Sequence, residues 1–190
     1  MAHKTLKRFP LLVYQTLAHR RQALAFWLIP GGITLWWIAG QGKLPGMPSG
    51  WVPLMISLVG LLLFLHCLLA RHAAVHCHAR RFTVQTPFYP VTFSYRRIES
   101  IRPVAFNEIF PPEQEKAARV RFYQSLWGKT AVVVTLKKYP LPLWWLQIWA
   151  SSYLLAPKGA GLILLVDEWM ALTRQLELGR ERVRGSQQRG

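Results

Sequence analysis

The chain has 190 residues, 52% of them apolar, with 24 Lys and Arg against 8 Asp and Glu for a net charge of +16. So apolar a composition excludes a disordered basic tail, and the length suffices for a membrane anchor plus one small domain. So strong a positive charge points to nucleic acid or to an anionic membrane face. No RNA- or DNA-binding motif is present, and no nucleic-acid partner is expected.

Residues 1–21 form a basic juxtamembrane segment, with Lys4, Lys7, Arg8, Arg20 and Arg21 ahead of a long apolar run. Phe9 to Ala18 is mostly apolar, and Pro10 suits a helix start, so a short helix at the membrane interface is expected there. The run is too long and begins too late for a cleavable signal peptide, and a second run follows it.

Residues 22–72 read as a transmembrane helical hairpin. Spans at about 22–40 and 51–70 are each about 20 residues long, the thickness of a bilayer core. A helix satisfies its own backbone hydrogen bonds, as lipid demands. The only Lys, Arg, Asp or Glu between Gln22 and Ala70 is Lys43, in the break. Pro30, Gly31 and Gly32 predict a kink in the first span. Trp36, Trp37 and Trp51 form an aromatic belt at the far face. Positive charges flank the hairpin on one side, at Arg20, Arg21 and Arg71. The positive-inside rule therefore predicts a multi-pass protein of the inner (plasma) membrane with both termini cytoplasmic and the Lys43 loop outside.

From Ala73 the texture becomes β-rich, with short runs AAVHCHA, RFTVQT, VTFSY and IESIRPVAF. The turn Pro87 to Pro90 keeps its residues out of a central strand. Asn107 to Pro112 reads as a loop, Glu113 to Trp127 as a helix stopped by Gly128, and TAVVVTLKK as a further strand. Tyr139 to Pro157 is uncharged and long enough to span, but Pro140 and Pro142 open it and Trp144, Trp145 and Trp149 crowd one end. Trp favours the headgroup region, so this segment is expected at the cytoplasmic interface, with a third span and packing against a protein partner as alternatives. YLLAP and GLILLV read as strands around Lys158 to Gly161. Asp167 then caps a last amphipathic helix with its stripe at Trp169, Leu172, Leu176 and Gly179, fraying from Arg182.

This order, and the run RFTVQTPFYPVTFSYRRIESIRPV, resemble bacterial pleckstrin-homology-like (PH-like) domains attached to membrane hairpins. The matching residues are Thr86 to Pro90, Phe93 to Ile98 and Leu164 to Asp167, within a stretch of about 73–180. The resemblance implies membrane α + β architecture: the two-helix transmembrane hairpin followed by a PH-like curved β-sheet or barrel of about seven strands, closed by the C-terminal helix. Residues 181–190 would be a basic tail. It does not imply phosphoinositide binding, and the Trp-rich insertion at 139–150 departs from the pattern.

No paired carboxylate motif, nucleophile elbow or phosphate-cradling glycine loop is present, so no enzyme is expected. Neutral His66, inside the second span, is the one candidate cofactor ligand, for a tetrapyrrole metal. Its closeness to Arg71 sets against that a plain interface role. His72, His76, Cys77 and His78 do not supply four convergent metal ligands, whether on a helix or a strand. No metal or cofactor is therefore expected. The expected partners are a bilayer with an anionic inner leaflet, engaged by Trp144, Trp145, Trp149 and nearby basic residues, and a membrane protein. Two functions are carried forward: a non-enzymatic scaffold with a PH-like interaction module, or an accessory subunit of a larger, energy-converting or pigment-bearing membrane complex.

Overall fold

The computed structural model describes residues 7–41, 51–114, 120, 124–157 and 159–187. The chain is mixed α/β, and it divides into two units, 15–71 and the rest. The Lys43 loop and much of the predicted 113–127 helix lie outside the described residues.

The helical unit contains most of α1 (Leu12–Gly40) and all of α2 (Trp51–Arg71). Both are long and apolar enough to cross a membrane. Two glycines set how they pack. A Cβ on Gly32 would lie 2.8 Å from the Pro53 carbonyl oxygen and 2.9 Å from the Ser57 nitrogen. One on Gly60 would lie 2.9 Å from the Leu28 Cβ. Small residues let helix backbones approach where hydrophobicity cannot drive association. The pairing of residue 32 with 53–57, and of 28–29 with 60, makes the helices antiparallel. Arg71 closes the other end by donating to the Gln22 side-chain oxygen. Pro30 lies inside α1, which continues to Gly40.

Among the described residues the second unit holds seven strands. Sheet A has the order β1 (Arg8–Pro10), β2 (Ala74–Cys77), β3 (Arg81–Gln85), β4 (Pro90–Ser94), all antiparallel. Sheet B has the order β5 (Ile98–Ala105), β6 (Thr130–Leu136), β7 (Gly161–Leu165), also antiparallel. Among the described residues these sheets close no barrel. The prolines respect sheet chemistry: Pro10, Pro90 and Pro103 all sit on outer strands, where a missing donor is tolerated.

Strand alternation builds the core of sheet A. Phe82 of β3 faces Phe93 of β4 across the ladder, their rings stacked at 5.2 Å. Thr83 and Thr92 pair on the opposite face at 3.2 Å. Every residue of β7 is buried. Its outer edge is covered by the preceding segment, through Ile163 N–H to Leu154 O at 2.8 Å and a bridge between Leu155 and Leu162. The expected YLLAP strand is thus this bridge, with Gly159 at φ +76° in the turn.

Three local expectations need correction. Phe9 to Ala18 is not a separate interfacial helix. Arg8–Pro10 is an edge strand registered against Ala74–His76, and the helix starting at Leu12 continues to Gly40. Leu11 N–H to Ala73 O at 3.1 Å and Arg8 Nη2 to His72 O at 2.9 Å extend the tie. In chain order, residues 15–71 are therefore an insertion between the first two strands of sheet A. Phe106–Ile109, which overlaps the start of the expected loop, is a short helix α3. The last helix, α5 (Trp169–Gln187), begins after Asp167 and runs on where fraying was expected. Asp167 binds Lys129 Nζ at 2.8 Å, and Glu168 O accepts the Leu172 N–H.

Helix α5 packs on β2, β5, β6 and the 3₁₀ turn Tyr95–Arg97, so it touches both sheets. Leu172 and Leu176 are fully buried, and the stripe continues through Gly179 to Val183. Gly179 is there for close approach. A Cβ would lie 2.6 and 2.7 Å from the Tyr95 ring carbons Cε2 and Cε1.

Candidate membrane and interaction surfaces

Among the described residues, exposed large apolar side chains concentrate on two surfaces, with Phe88, Tyr89, Met170 and Leu178 exposed elsewhere. The first is the helical unit. Leu24, Phe26, Trp27, Met55, Val59 and Leu62 are each more than half exposed or close to it. In the most apolar windows of α1 and α2 only 11% and 17% of residues are buried. A water-soluble surface rarely leaves so large an apolar area uncovered.

Polar and aromatic residues bracket this area as a bilayer interface would require. Trp36 and Trp37 lie one turn beyond Gly32, and Trp51 lies just before its partner Pro53. The antiparallel pairing therefore gathers the three at one end of the hairpin, with exposures of 48%, 64% and 71%. Arg21 and Arg71 are exposed at the other end, beside the Gln22–Arg71 hydrogen bond. The Arg20 side chain lies outside the described residues. From Trp51 to Arg71 a helix rises about 30 Å, the thickness of a hydrocarbon core. His66 is half-buried within α2.

The second surface is α4 (Leu143–Trp149), in the other unit. It is seven residues long, too short to span, and corrects the alternative of a third transmembrane helix. Its two faces differ. Leu146 and Ala150 are buried, four residues apart, and fasten it to the unit. Trp144 and Ile148, also four apart, are 61% and 60% exposed, with Leu143 beside them. Trp145 packs edge-on against Trp144 with ring centroids 5.5 Å apart. The Trp149 side chain lies outside the described residues. Past the helix, Ser151 N–H donates to the Tyr14 hydroxyl at 2.9 Å, and Tyr14 is buried. That bond anchors the base of α4 to the segment following β1. Leu143 and Ile148 were missed from sequence because the tryptophans drew the attention. An i, i+4 count from Trp144 would have found Ile148.

The histidine cluster disperses. His76 meets Gln85 at 3.2 Å across β2 and β3, and the backbone carbonyl of His78 accepts the Tyr95 hydroxyl at 3.1 Å. Among the described residues no group of three His, Cys, Asp or Glu could hold a metal. Cys77 is pushed up to about 11 by burial, against a hydrogen bond from Tyr95 that lowers it. Burial first, and the neighbouring thiol second, push the Tyr95 hydroxyl up as well. These are inert groups in a packed corner, unlike a reactive thiolate.

An open groove of about 740 Å³ runs over sheet B beside α3, with Glu99, Arg102 and Glu108 among its polar walls. Ser100 and Thr135 are bonded to each other on it at 3.0 Å. Among the described lining residues no nucleophile is hydrogen-bonded to a base. Comparison with family models, curated proteins and solved structures found no match.

Proposed function

We propose that this chain is a non-enzymatic integral membrane protein, anchored in the inner membrane by the hairpin and carrying a PH-like interaction and scaffolding module on the cytoplasmic side. The single observation that carries the reading is the helical unit's apolar surface, exposed along both helices and bracketed by Trp at one end and Arg at the other. Seven strands in sheets of four and three, with one amphipathic helix packed on both, support the PH-like part. Trp144 and Ile148 supply a membrane-interface contact, because an aromatic ring and a branched aliphatic pair well with the headgroup boundary. Surrounding Lys and Arg add attraction to anionic lipid of about 1 kcal/mol each where they reach the surface.

A second reading, an accessory subunit of a larger membrane complex, is favoured by the same α4 ridge. An apolar i, i+4 pair on a rigid short helix also fits a groove on a protein partner. A pull-down in mild detergent, followed by flotation with liposomes, separates the two. A monomeric, colourless protein that floats with anionic liposomes supports the scaffold. Stoichiometric subunits or a coloured cofactor in the pull-down overturn it in favour of the accessory role.

A further inference from the structure

The C-terminal part of α5 meets the 3₁₀ turn Tyr95–Arg97 and the end of β6 around a small pocket of about 160 Å³. A water molecule takes up about 30 Å³ of liquid, so the space admits one tetrahedral oxyanion together with a few waters. Tyr95, Ile98 and Val183 form its apolar wall and are almost wholly buried. Four cations line the rest: Arg96, Lys137, Arg180 and Arg184.

Backbone hydrogen bonds fix the segments that carry Arg96 and Lys137, and a side-chain bond orients Arg180. Ser94 Oγ accepts the Arg96 N–H at 3.4 Å, and Lys137 N–H donates to Arg97 O at 2.8 Å. Arg180 Nη2 donates to Glu99 O at 2.5 Å, which orients its guanidinium. Its Nε is buried and has no hydrogen-bond partner. A buried guanidinium donor left unmatched is rare and unfavourable. Counter-charge is also scarce. Among the described residues the ion pairs are Lys7–Glu168 and Lys129–Asp167, so none of the four cations has one. The lone acid on the wall, Glu99, is exposed, and its backbone carbonyl accepts the Arg180 hydrogen bond.

We propose that this pocket is a binding site for a phosphate group, with Arg180 and Arg184 as the fork-like donors and Lys137 and Arg96 as flanking charges. Guanidinium matches phosphate oxygens in a bidentate way, and an ammonium adds a point charge. Four positive charges less the one negative charge of Glu99 favour a dianion over a single carboxylate. The phosphate can come free in solution or as the headgroup of an anionic lipid. Nothing in the pocket depends on how the hairpin is placed, so its test stands apart from the membrane reading.

The experiment uses full-length protein in phosphatidylcholine nanodiscs at fixed ionic strength. One arm titrates inorganic phosphate by calorimetry. The other compares thermal stability in nanodiscs with and without phosphatidate, in phosphate-free buffer. Saturable binding in the first arm identifies free phosphate as the ligand. Stabilisation in the second alone identifies the headgroup. Lys137→Gln and Arg184→Gln, each expected to fold normally by circular dichroism, should each weaken binding about tenfold, the loss of one charge-assisted contact. Without ligand, Arg184→Gln should be no less stable than wild type, since it relieves like-charge repulsion. No response in either arm, or the same response in the Lys137→Gln/Arg184→Gln double variant as in wild type, would overturn the proposal.

Discussion

Replacing Gly179 by Ala tests the junction that joins α5 to sheet A. The new methyl would sit 2.6–2.7 Å from two Tyr95 ring carbons, about 1 Å inside the normal carbon–carbon contact. The ring has nowhere to go. It is 1% exposed, lies 5.7 Å from Phe82, and is tethered by its hydroxyl to His78 O. Overpacking of this kind costs about 1–3 kcal/mol. Displacing the ring forfeits the hydroxyl bond, about 1 kcal/mol more. The better helix propensity of Ala returns about 1 kcal/mol. The net loss is then about 1–3 kcal/mol. Gly185 is the internal control: it lies on the same helix, and nothing lies within 4 Å of its Cβ position. Gly185→Ala should therefore stabilise by up to about 1 kcal/mol. The assay is urea unfolding in detergent followed by near-ultraviolet circular dichroism. Opposite shifts of the two midpoints are expected. If both substitutions stabilise equally, the close approach of α5 to Tyr95 is wrong.

Other perturbations address the remaining parts. Gly60→Ala should lower the melting temperature of the detergent-solubilised protein by overpacking worth about 1–3 kcal/mol, while Gly31→Ala, with open space around it, should not. Cys77 and Tyr95 both have raised pKa values when folded, so the stability they contribute is full below pH 9; the Cys77 share is lost as pH rises through about 11, and the Tyr95 share at higher pH still. A urea midpoint flat from neutral pH to the ordinary thiol range and falling above it, with a smaller fall in Cys77→Ala, is the expected profile. Trp144→Ser with Ile148→Ser should leave folding within about 0.5 kcal/mol and raise the labelling, by a water-soluble maleimide, of a cysteine placed at Leu143 in anionic proteoliposomes, whereas Leu146→Ala, at a buried site, should cost about 2–5 kcal/mol.

What could be read from sequence followed the range of each signal. The runs RFTVQT, VTFSY and TAVVVTLKK became β3, β4 and β6 because alternation and β-branching are local properties. The two long apolar helices were equally plain, since length and hydropathy are summed along the chain. β1 was hidden. Three residues ending in proline carry no strand signal, and their partner β2 lies 64 positions later. Only the tertiary fold could show that residues 15–71 interrupt sheet A. Asp167 was read as a cap from position alone, but Lys129, 38 residues away, claims its carboxylate. Gly179 is legible as a position on the apolar stripe, but the need for so small a residue there depends on Tyr95. The cation-lined pocket proposed to bind phosphate was invisible for the same reason: Arg96, Lys137, Arg180 and Arg184 come from three separate elements. In the sequence they look like ordinary solvated charges.

The central claim is that the hairpin crosses the membrane twice and returns the chain to the side on which it began. Single cysteines at Lys43→Cys and Gln187→Cys, in a background lacking Cys67 and Cys77, test it directly with a membrane-impermeant maleimide. Labelling of Lys43→Cys in intact cells, with Gln187→Cys labelled only after lysis, is the predicted result. Equal labelling of both positions in intact cells, or of neither, would contradict it.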